Sequence, residues 1–147
     1  MRVRCDDAVL VTPITESALP SGIDIFTANG GSLVAGAVDD GLLWAKVGVG
    51  ILPRHAITIR MLSPRPGRGG MEWGRGIGGP QGLVHFDACR RYDAYPPVKN
   101  HSGFGYAGGF TVRGPSCVKL QVTGSDQSDV FSFSIRAKQS DPSPSCS

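Results

Sequence analysis

Residues 42–62, which read LLWAKVGVGILPRHAITIRML, decide the fold. Apolar side chains recur at every second position on both sides of a break at Pro53; they are Leu43, Ala45, Val47 and Val49 before it, and Ile57, Ile59 and Met61 after it. A period of two with β-branched residues on the apolar side is typical of half-buried strands. The stretch therefore predicts a β-hairpin with one face turned to a core.

Other short apolar runs, each bounded by turn residues, predict further strands. These runs are residues 8–11, 23–26, 32–38, 83–89, 109–112, 118–122 and 130–135. The steps Asn29-Gly30 and Asp40-Gly41 supply the positive φ that tight hairpin turns need. Because no segment predicts a helix, we expect an all-β fold, an immunoglobulin-like antiparallel β-sandwich of about eight short strands. A small β-barrel is the alternative architecture.

Composition supports this fold class. The 147 residues include 21 glycines and 11 prolines, and these are the two poorest helix formers. No run approaches the roughly eighteen apolar residues of a membrane-spanning helix, so we predict no transmembrane segment in this chain. The length fits a single β-sandwich domain at 1–137. A long Gly/Pro/Arg loop is expected at 63–82 and a flexible Ser/Pro tail at 138–147.

The charge is only mildly basic, with 15 Lys and Arg against 12 Asp and Glu. The arginines of the Gly/Pro-rich region are thinly spread; they are Arg54, Arg60, Arg65, Arg68 and Arg75. A nucleic-acid-binding protein concentrates far more positive charge on one face. We therefore predict no nucleic-acid partner and interpret these arginines as solvated loop residues.

Two segments match the phosphate-binding pattern G-x-G-x-x-G, residues 74–79 and 103–108. A phosphate loop must follow a strand and open a helix. The first match is followed by Pro80 and the second runs into the strand at Phe110, so we predict no cofactor.

Candidate acid–base groups are the histidines His55, His85 and His101. No G-x-S-x-G nucleophile motif accompanies them, and nothing in the sequence fixes the separation of a carboxylate pair. We predict no catalytic residue. A small secreted hydrolase that uses a loop His or carboxylate is the alternative function.

A candidate metal site lies in His85-Phe86-Asp87-Ala88-Cys89, where three possible ligands share one strand face. Residues two apart on a strand lie about 7 Å apart, too far to share one ion without strain. We predict no metal ligand here, and a metal-binding domain is a further alternative.

Four aromatic residues in predicted loops are candidate binding residues, since loop aromatics form platforms for sugars or peptides. They are Trp73, Tyr92, Tyr95 and Tyr106. The competing interpretation is that such residues fold back over the edge of the core.

The cysteines are Cys5, Cys89, Cys117 and Cys146, with no C-x-x-C motif. An even number at wide spacing favours disulfides and an oxidising compartment. Strand alternation turns Cys89 and Cys117 away from the core. The start Met1-Arg2-Val3-Arg4 has the charge of a signal peptide without an apolar segment after it, so a cytoplasmic protein with free thiols is the alternative.

The segment 107–122, AGGFTVRGPSCVKLQV, together with the strand ending at Cys89, resembles the C-terminal half of uncharacterised exported proteins of actinobacteria. Residues 44–47 and 56–59 are similar to the region that precedes it in those proteins. The resemblance implies export, a signal or membrane anchor upstream of Met1, and a Cys89–Cys117 disulfide. It implies no activity.

With that bridge, Cys5 and Cys146 are left to pair with each other and to staple the two termini. The sequence thus predicts a non-catalytic, secreted or extracytoplasmic interaction or ligand-binding module of the cell envelope. Its partner is an unknown protein or cell-envelope ligand.

Overall fold

The structure is a computed structural model that describes residues 1–14, 20–25, 32–37, 41–65, 67–74, 80–93, 97, 102–142 and 144–146. These residues form fourteen β-strands and no α-helix. The strands build several sheets around a common core, so the predicted all-β sandwich is confirmed. No helix in this part of the chain is long and apolar enough to cross a membrane.

The strands follow one another in chain order. They are β1 (Arg2–Val3), β2 (Leu10–Pro13), β3 (Ile23–Ile25), β4 (Ser32–Val34), β5 (Gly36–Ala37), β6 (Leu42–Lys46), β7 (Val49–Ile51), β8 (Ile57–Ser63), β9 (Gly69–Trp73), β10 (Leu83–Phe86), β11 (Ser102–Tyr106), β12 (Gly108–Arg113), β13 (Ser116–Thr123) and β14 (Ser128–Arg136).

Three sheets result from their pairing. A six-stranded sheet has the order β1-β10-β8-β13-β14-β4, and two four-stranded sheets have the orders β2-β11-β7-β3 and β5-β6-β12-β9. Described neighbours are antiparallel except at two edges, where β1 runs parallel to β10 and β4 runs parallel to β14. The strands are more numerous than the sequence predicts, because the runs 32–38 and 42–51 are each divided between two sheets and because β1, β9 and β11 were not predicted.

Residues 42–62 bury the predicted face but do not form the predicted hairpin. The chain there supplies β6 to one four-stranded sheet, β7 to the other and β8 to the six-stranded sheet. Ala45, for example, lies opposite Phe110. Alternation determines which side chains face the core, whereas the partner of each strand depends on packing with distant parts of the chain.

A chain of aromatic rings connects the three sheets. Tyr106 of β11 contacts Phe86 of β10 at 5.1 Å between ring centroids, and Phe86 contacts Trp73 of β9 at 5.7 Å. Trp73 contacts Phe110 of β12 at 5.2 Å, which in turn contacts Phe133 of β14 at 4.8 Å. All five rings are buried. Since each such pair contributes about 0.5–1.5 kcal/mol beyond burial, the sheets share one aromatic core.

The predicted loop at 63–82 is wrong in its middle, where β9 pairs antiparallel with β12. Here Gly70 lies opposite Thr111 and Met71 opposite Phe110. The many glycines hid this strand, because glycine weakens strands in general. In β9 the buried side chains of Met71 and Trp73 supply the apolar contacts with the core that glycines cannot make.

The predicted disulfide pairing is also wrong. The structure joins Cys5 to Cys89 and Cys117 to Cys146, with Cα–Cα distances of 5.7 and 5.1 Å. In the six-stranded sheet β8 lies between β10 and β13. Strands two apart are separated by roughly 9–10 Å, too far for a disulfide between a cysteine beside β10 and one on β13.

Cys89 does not point outward as predicted, because β10 ends at Phe86 and its alternation stops there. After that strand Ala88 is exposed and Cys89 is buried. Cys5 reaches Cys89 because β1 runs beside β10 in parallel, with Val3 opposite Phe86. The segment 138–147, predicted to be a flexible tail, is tied to β13 through Cys146.

Candidate functional site

Two of the predicted binding aromatics belong to the core. Trp73 and Tyr106 are each 2% exposed, so the prediction of surface roles for them is wrong. The indole Nε1 of Trp73 donates to the Val47 carbonyl at 2.9 Å. Each residue lies on the inward face of its own strand. The glycines beside it are the reason that the sequence predicts a loop there.

Of the other two predicted aromatics, the structure describes only Tyr92. Tyr92 lies in the short 3-10 turn Arg91–Asp93 and is 79% exposed. Tyr95 lies outside the described residues, as does His101.

The N-terminal segment, residues 1–14, joins two sheets. It begins as β1 beside β10, passes through the 3-10 turn Cys5–Asp7, and continues as β2 beside β11. The disulfide to Cys89 fixes the segment at the turn. The amide of Val9 then donates to the Gly105 carbonyl at 2.8 Å, which starts the pairing of β2 with β11.

Two glycines of β11, Gly103 and Gly105, allow β2 to pack closely against that strand. In the sequence Ser-Gly-Phe-Gly-Tyr the aromatics face the core, and the glycines occupy the alternate positions. A Cβ on Gly105 would lie 2.7 Å from Cδ1 of Leu10. The missing side chain therefore leaves the room in which Leu10 packs against β11.

β2 is an edge strand, and we name the surface at its start the β2 edge: the exposed Val9, Leu10 and Val11 and the partly buried Thr12. Within the described residues, β11 is the only strand paired with β2. Val9 is 63% exposed and Leu10 is 55% exposed. Exposed apolar side chains on an unpaired strand edge favour the addition of a further strand.

An apolar groove lies on the face of the same sheet, across β11 between β2 and the start of β7. Its volume is about 400 Å³, and its lining includes Val9, Leu10, Lys46, Val49 and Tyr106. Most of these side chains are aliphatic or aromatic, so the groove suits apolar side chains of a partner.

A second, charged pocket lies at the other side of the turn, and we name it the disulfide pocket. Its volume is about 470 Å³, and it is lined by Arg2, Arg4, Cys5, Asp6, Asp87 and Asp93. Arg2 Nε donates to Asp87 Oδ1 at 2.7 Å, and this hydrogen bond and the Asp87 charge raise the pKa of Arg2. The pocket therefore combines a fixed ion pair with the carboxylates of Asp6 and Asp93.

Tyr106 lies beneath this pocket, with its hydroxyl 3.5 Å from Cys89 Sγ. Burial raises the pKa of the Tyr106 phenol well above its usual value, and the negative charges of Asp7, Asp87 and Asp93 raise it further. The phenol therefore stays neutral and serves as a hydrogen-bonding group against the sulfur.

The described histidines do not converge in a pocket. His55 Nδ1 is paired with the Pro53 carbonyl at 2.8 Å. His85 Nδ1 lies 2.9 Å from Thr58 Oγ1, and His85 Nε2 lies 3.9 Å from Asp87 Oδ1. Thr58, His85 and Asp87 therefore form a row that resembles a hydroxyl–imidazole–carboxylate arrangement. However, the carboxylate is beyond hydrogen-bonding reach of the ring and is already paired with Arg2.

Comparison with known proteins gives no family. No protein-family model and no curated protein matches the chain. Solved structures that it resembles include the CooA pilin subunit from enterotoxigenic Escherichia coli, at 8% identity and a TM-score of 0.47, covering 80% of this chain and 99% of that one. A family 123 glycoside hydrolase from Clostridium perfringens matches at 9% identity and a TM-score of 0.41, covering 80% of this chain and 27% of that one.

The sequence revealed only part of this site. The run at 8–11 predicted β2, but nothing in the run marks it as an edge. A signal was present in its composition: Ala8-Val9-Leu10-Val11 is apolar without alternation, and the strand ends at Pro13, a residue found at sheet edges. The disulfide pocket could not be predicted, because it depends on the parallel placement of β1 beside β10.

Proposed function

We propose that this protein is a non-catalytic, extracytoplasmic interaction module that binds an extended segment of a partner protein along the β2 edge. The observation that carries the proposal is the exposure of Val9 and Leu10 at the start of a strand whose outer side pairs with no other described strand. Addition of a strand at such an edge supplies backbone hydrogen bonds for affinity.

Specificity comes from the surfaces on either side of the edge. Leu10 borders the apolar groove of about 400 Å³, which accepts alternate aliphatic side chains of an added strand. A smaller depression of about 260 Å³ is lined by Asp6 and Asp93 together with residues 8–11. Two carboxylates at that end favour a partner with a Lys or Arg there. The occupant is therefore an extended segment with alternating aliphatic residues and one basic residue.

The location outside the cytoplasm is supported by the bonding of all four cysteines in disulfides. Disulfides persist in oxidising compartments and are rare in the cytosol. Membership of a group of exported actinobacterial proteins, attachment to the cell envelope and an anchor upstream of Met1 belong to the same proposal.

The experiment is an affinity selection of displayed ten-residue peptides on the folded, oxidised protein. Selected peptides are then synthesised, and their dissociation constants are measured by fluorescence anisotropy. We expect them to carry alternating aliphatic residues and to slow amide exchange at residues 9–12 when they bind.

Leu10→Lys is the test variant, because it places a charge at the apolar groove. It should weaken peptide binding about tenfold or more, a loss of about 1.4 kcal/mol. Val130→Lys is the matched control, since Val130 is 63% exposed but lies on β14, which is in another sheet and does not line the groove. If no peptide is selected, or if the selected peptides bind Leu10→Lys and wild type equally, the proposal is wrong.

A further inference from the structure

We propose that reduction of the Cys5–Cys89 disulfide converts the disulfide pocket into a binding site for one Zn²⁺ ion. The thiolates of Cys5 and Cys89 and the carboxylate of Asp93 are its protein ligands. The two sulfurs and a carboxylate oxygen of Asp93 lie within 4.8 Å of one another. In a tetrahedral zinc site, ligand atoms at 2.0–2.3 Å from the metal lie roughly 3.3–3.8 Å apart. The ligands therefore need to move by about an ångström.

The chemistry of the conversion requires a reductant. A dithiol delivers two electrons and two protons to the Cys5–Cys89 bond, which becomes two thiols while the dithiol becomes a cyclic disulfide. Zn²⁺ then displaces both thiol protons to solvent and binds the thiolates. Three protein ligands leave a fourth position for water from the pocket, which has a volume of about 470 Å³.

The third ligand is already oriented. Asp93 Oδ2 accepts a hydrogen bond from the Arg90 amide at 2.6 Å, and Asp93 Oδ1 lies 3.7 Å from the Arg90 guanidinium. Partners of this kind fix ligand orientation in zinc sites, and their loss weakens metal binding by roughly 10–100-fold.

The second sulfur also has a fixed neighbour. The Tyr106 hydroxyl lies 3.5 Å from Cys89 Sγ. It can therefore donate to a thiolate at that position. The carboxylate of Asp6 at the rim of the pocket adds negative charge that favours a cation.

The site does not depend on the peptide-binding proposal, and the two fail separately. The zinc site requires the reduced Cys5 and Cys89, whereas strand addition involves the oxidised protein and Leu10.

The test uses Co²⁺ as a spectroscopic substitute for Zn²⁺, followed by competition with Zn²⁺. The protein is the full chain with Cys117→Ser and Cys146→Ser, reduced with a phosphine, which leaves as its oxide and competes weakly for the metal. We expect one equivalent of Co²⁺ with a thiolate charge-transfer band and the visible bands of tetrahedral cobalt. Zn²⁺ should displace it, and the oxidised protein should bind none.

Asp93→Asn should weaken metal binding at least tenfold, whereas Asp126→Asn, the control at an exposed carboxylate outside the pocket lining, should change it less than twofold. The reduced wild-type chain and its Cys5→Ser/Cys89→Ser variant provide a second comparison if the first background does not fold. Binding that is absent, that survives loss of Cys5 and Cys89, or that does not change with Asp93→Asn would overturn the proposal.

Discussion

The sequence predicts loop positions for Trp73 and Tyr106, whereas the structure places both residues in strands. Both were expected on the surface because glycines surround them in the sequence. Both are instead buried in the aromatic core, where Trp73 also has a hydrogen-bond partner for its indole. Glycine hides a strand from pattern analysis, but a large aromatic beside it is a reason to expect burial.

Replacement of Trp73 by Ala should destabilise the protein by about 3–5 kcal/mol, because it removes a fully buried ring that contacts two others. Trp44→Ala is the control, since Trp44 is only partly buried on β6. The decrease in the free energy of unfolding should be clearly smaller for this variant. Urea unfolding of both variants measures the difference. Equal losses would show that Trp73 is not a core residue.

The ionisation of Tyr106 affects how the stability of the protein changes at alkaline pH. Its pKa is raised in the folded state, so the unfolded chain ionises first, near the ordinary value of about 10. The free energy of unfolding is therefore unaffected by this group below about pH 10 and falls as the pH rises further. Tyr106→Phe should lose less stability than wild type between about pH 9 and 11, as measured by denaturant unfolding.

The control for this measurement is Tyr92→Phe, because Tyr92 is highly exposed. Its loss of stability over the same pH range should equal that of wild type. A Tyr106→Phe profile that also equals wild type would contradict the burial of the phenol beneath the acidic pocket.

Individual elements were predictable where apolar residues alternate over five or more positions. Strands β8, β13 and β14 satisfy this rule, and their inward faces are those that the sequence predicts. β11 was missed because glycines replace alternate side chains, and β9 was missed because it begins with two consecutive glycines. Partners were not predictable at all, since β6, β7 and β8 join three different sheets although they are consecutive.

The glycines of β11 are needed for the attachment of β2. Gly105→Val should displace Leu10, whose side chain occupies the space beside Gly105. We expect a cost of about 1–3 kcal/mol and faster amide exchange at residues 8–13, measured by mass spectrometry. Gly36→Val, at a position with open space around it, is the control and should leave exchange at 8–13 unchanged. Unchanged exchange in Gly105→Val would contradict the close packing of β2 on β11.

For the whole molecule, the two disulfides account for the placement of both ends of the described chain. The Cys5–Cys89 bond spans 84 residues and the Cys117–Cys146 bond spans 29. On loop-closure entropy, they contribute about 4.5 and about 3.5 kcal/mol respectively. The sequence predicted that the cysteines form disulfides but not their partners, because pairing depends on sheet order.

The arrangement of the N-terminal segment, which brings Cys5 beside Cys89, underlies both proposals. Disulfide mapping tests this directly, because trypsin separates the four cysteines into the peptides 5–46, 76–90, 114–119 and 139–147. Mass spectrometry of the unreduced digest should find 5–46 joined to 76–90, and 114–119 joined to 139–147. A link between 76–90 and 114–119, or four free thiols, would contradict the account.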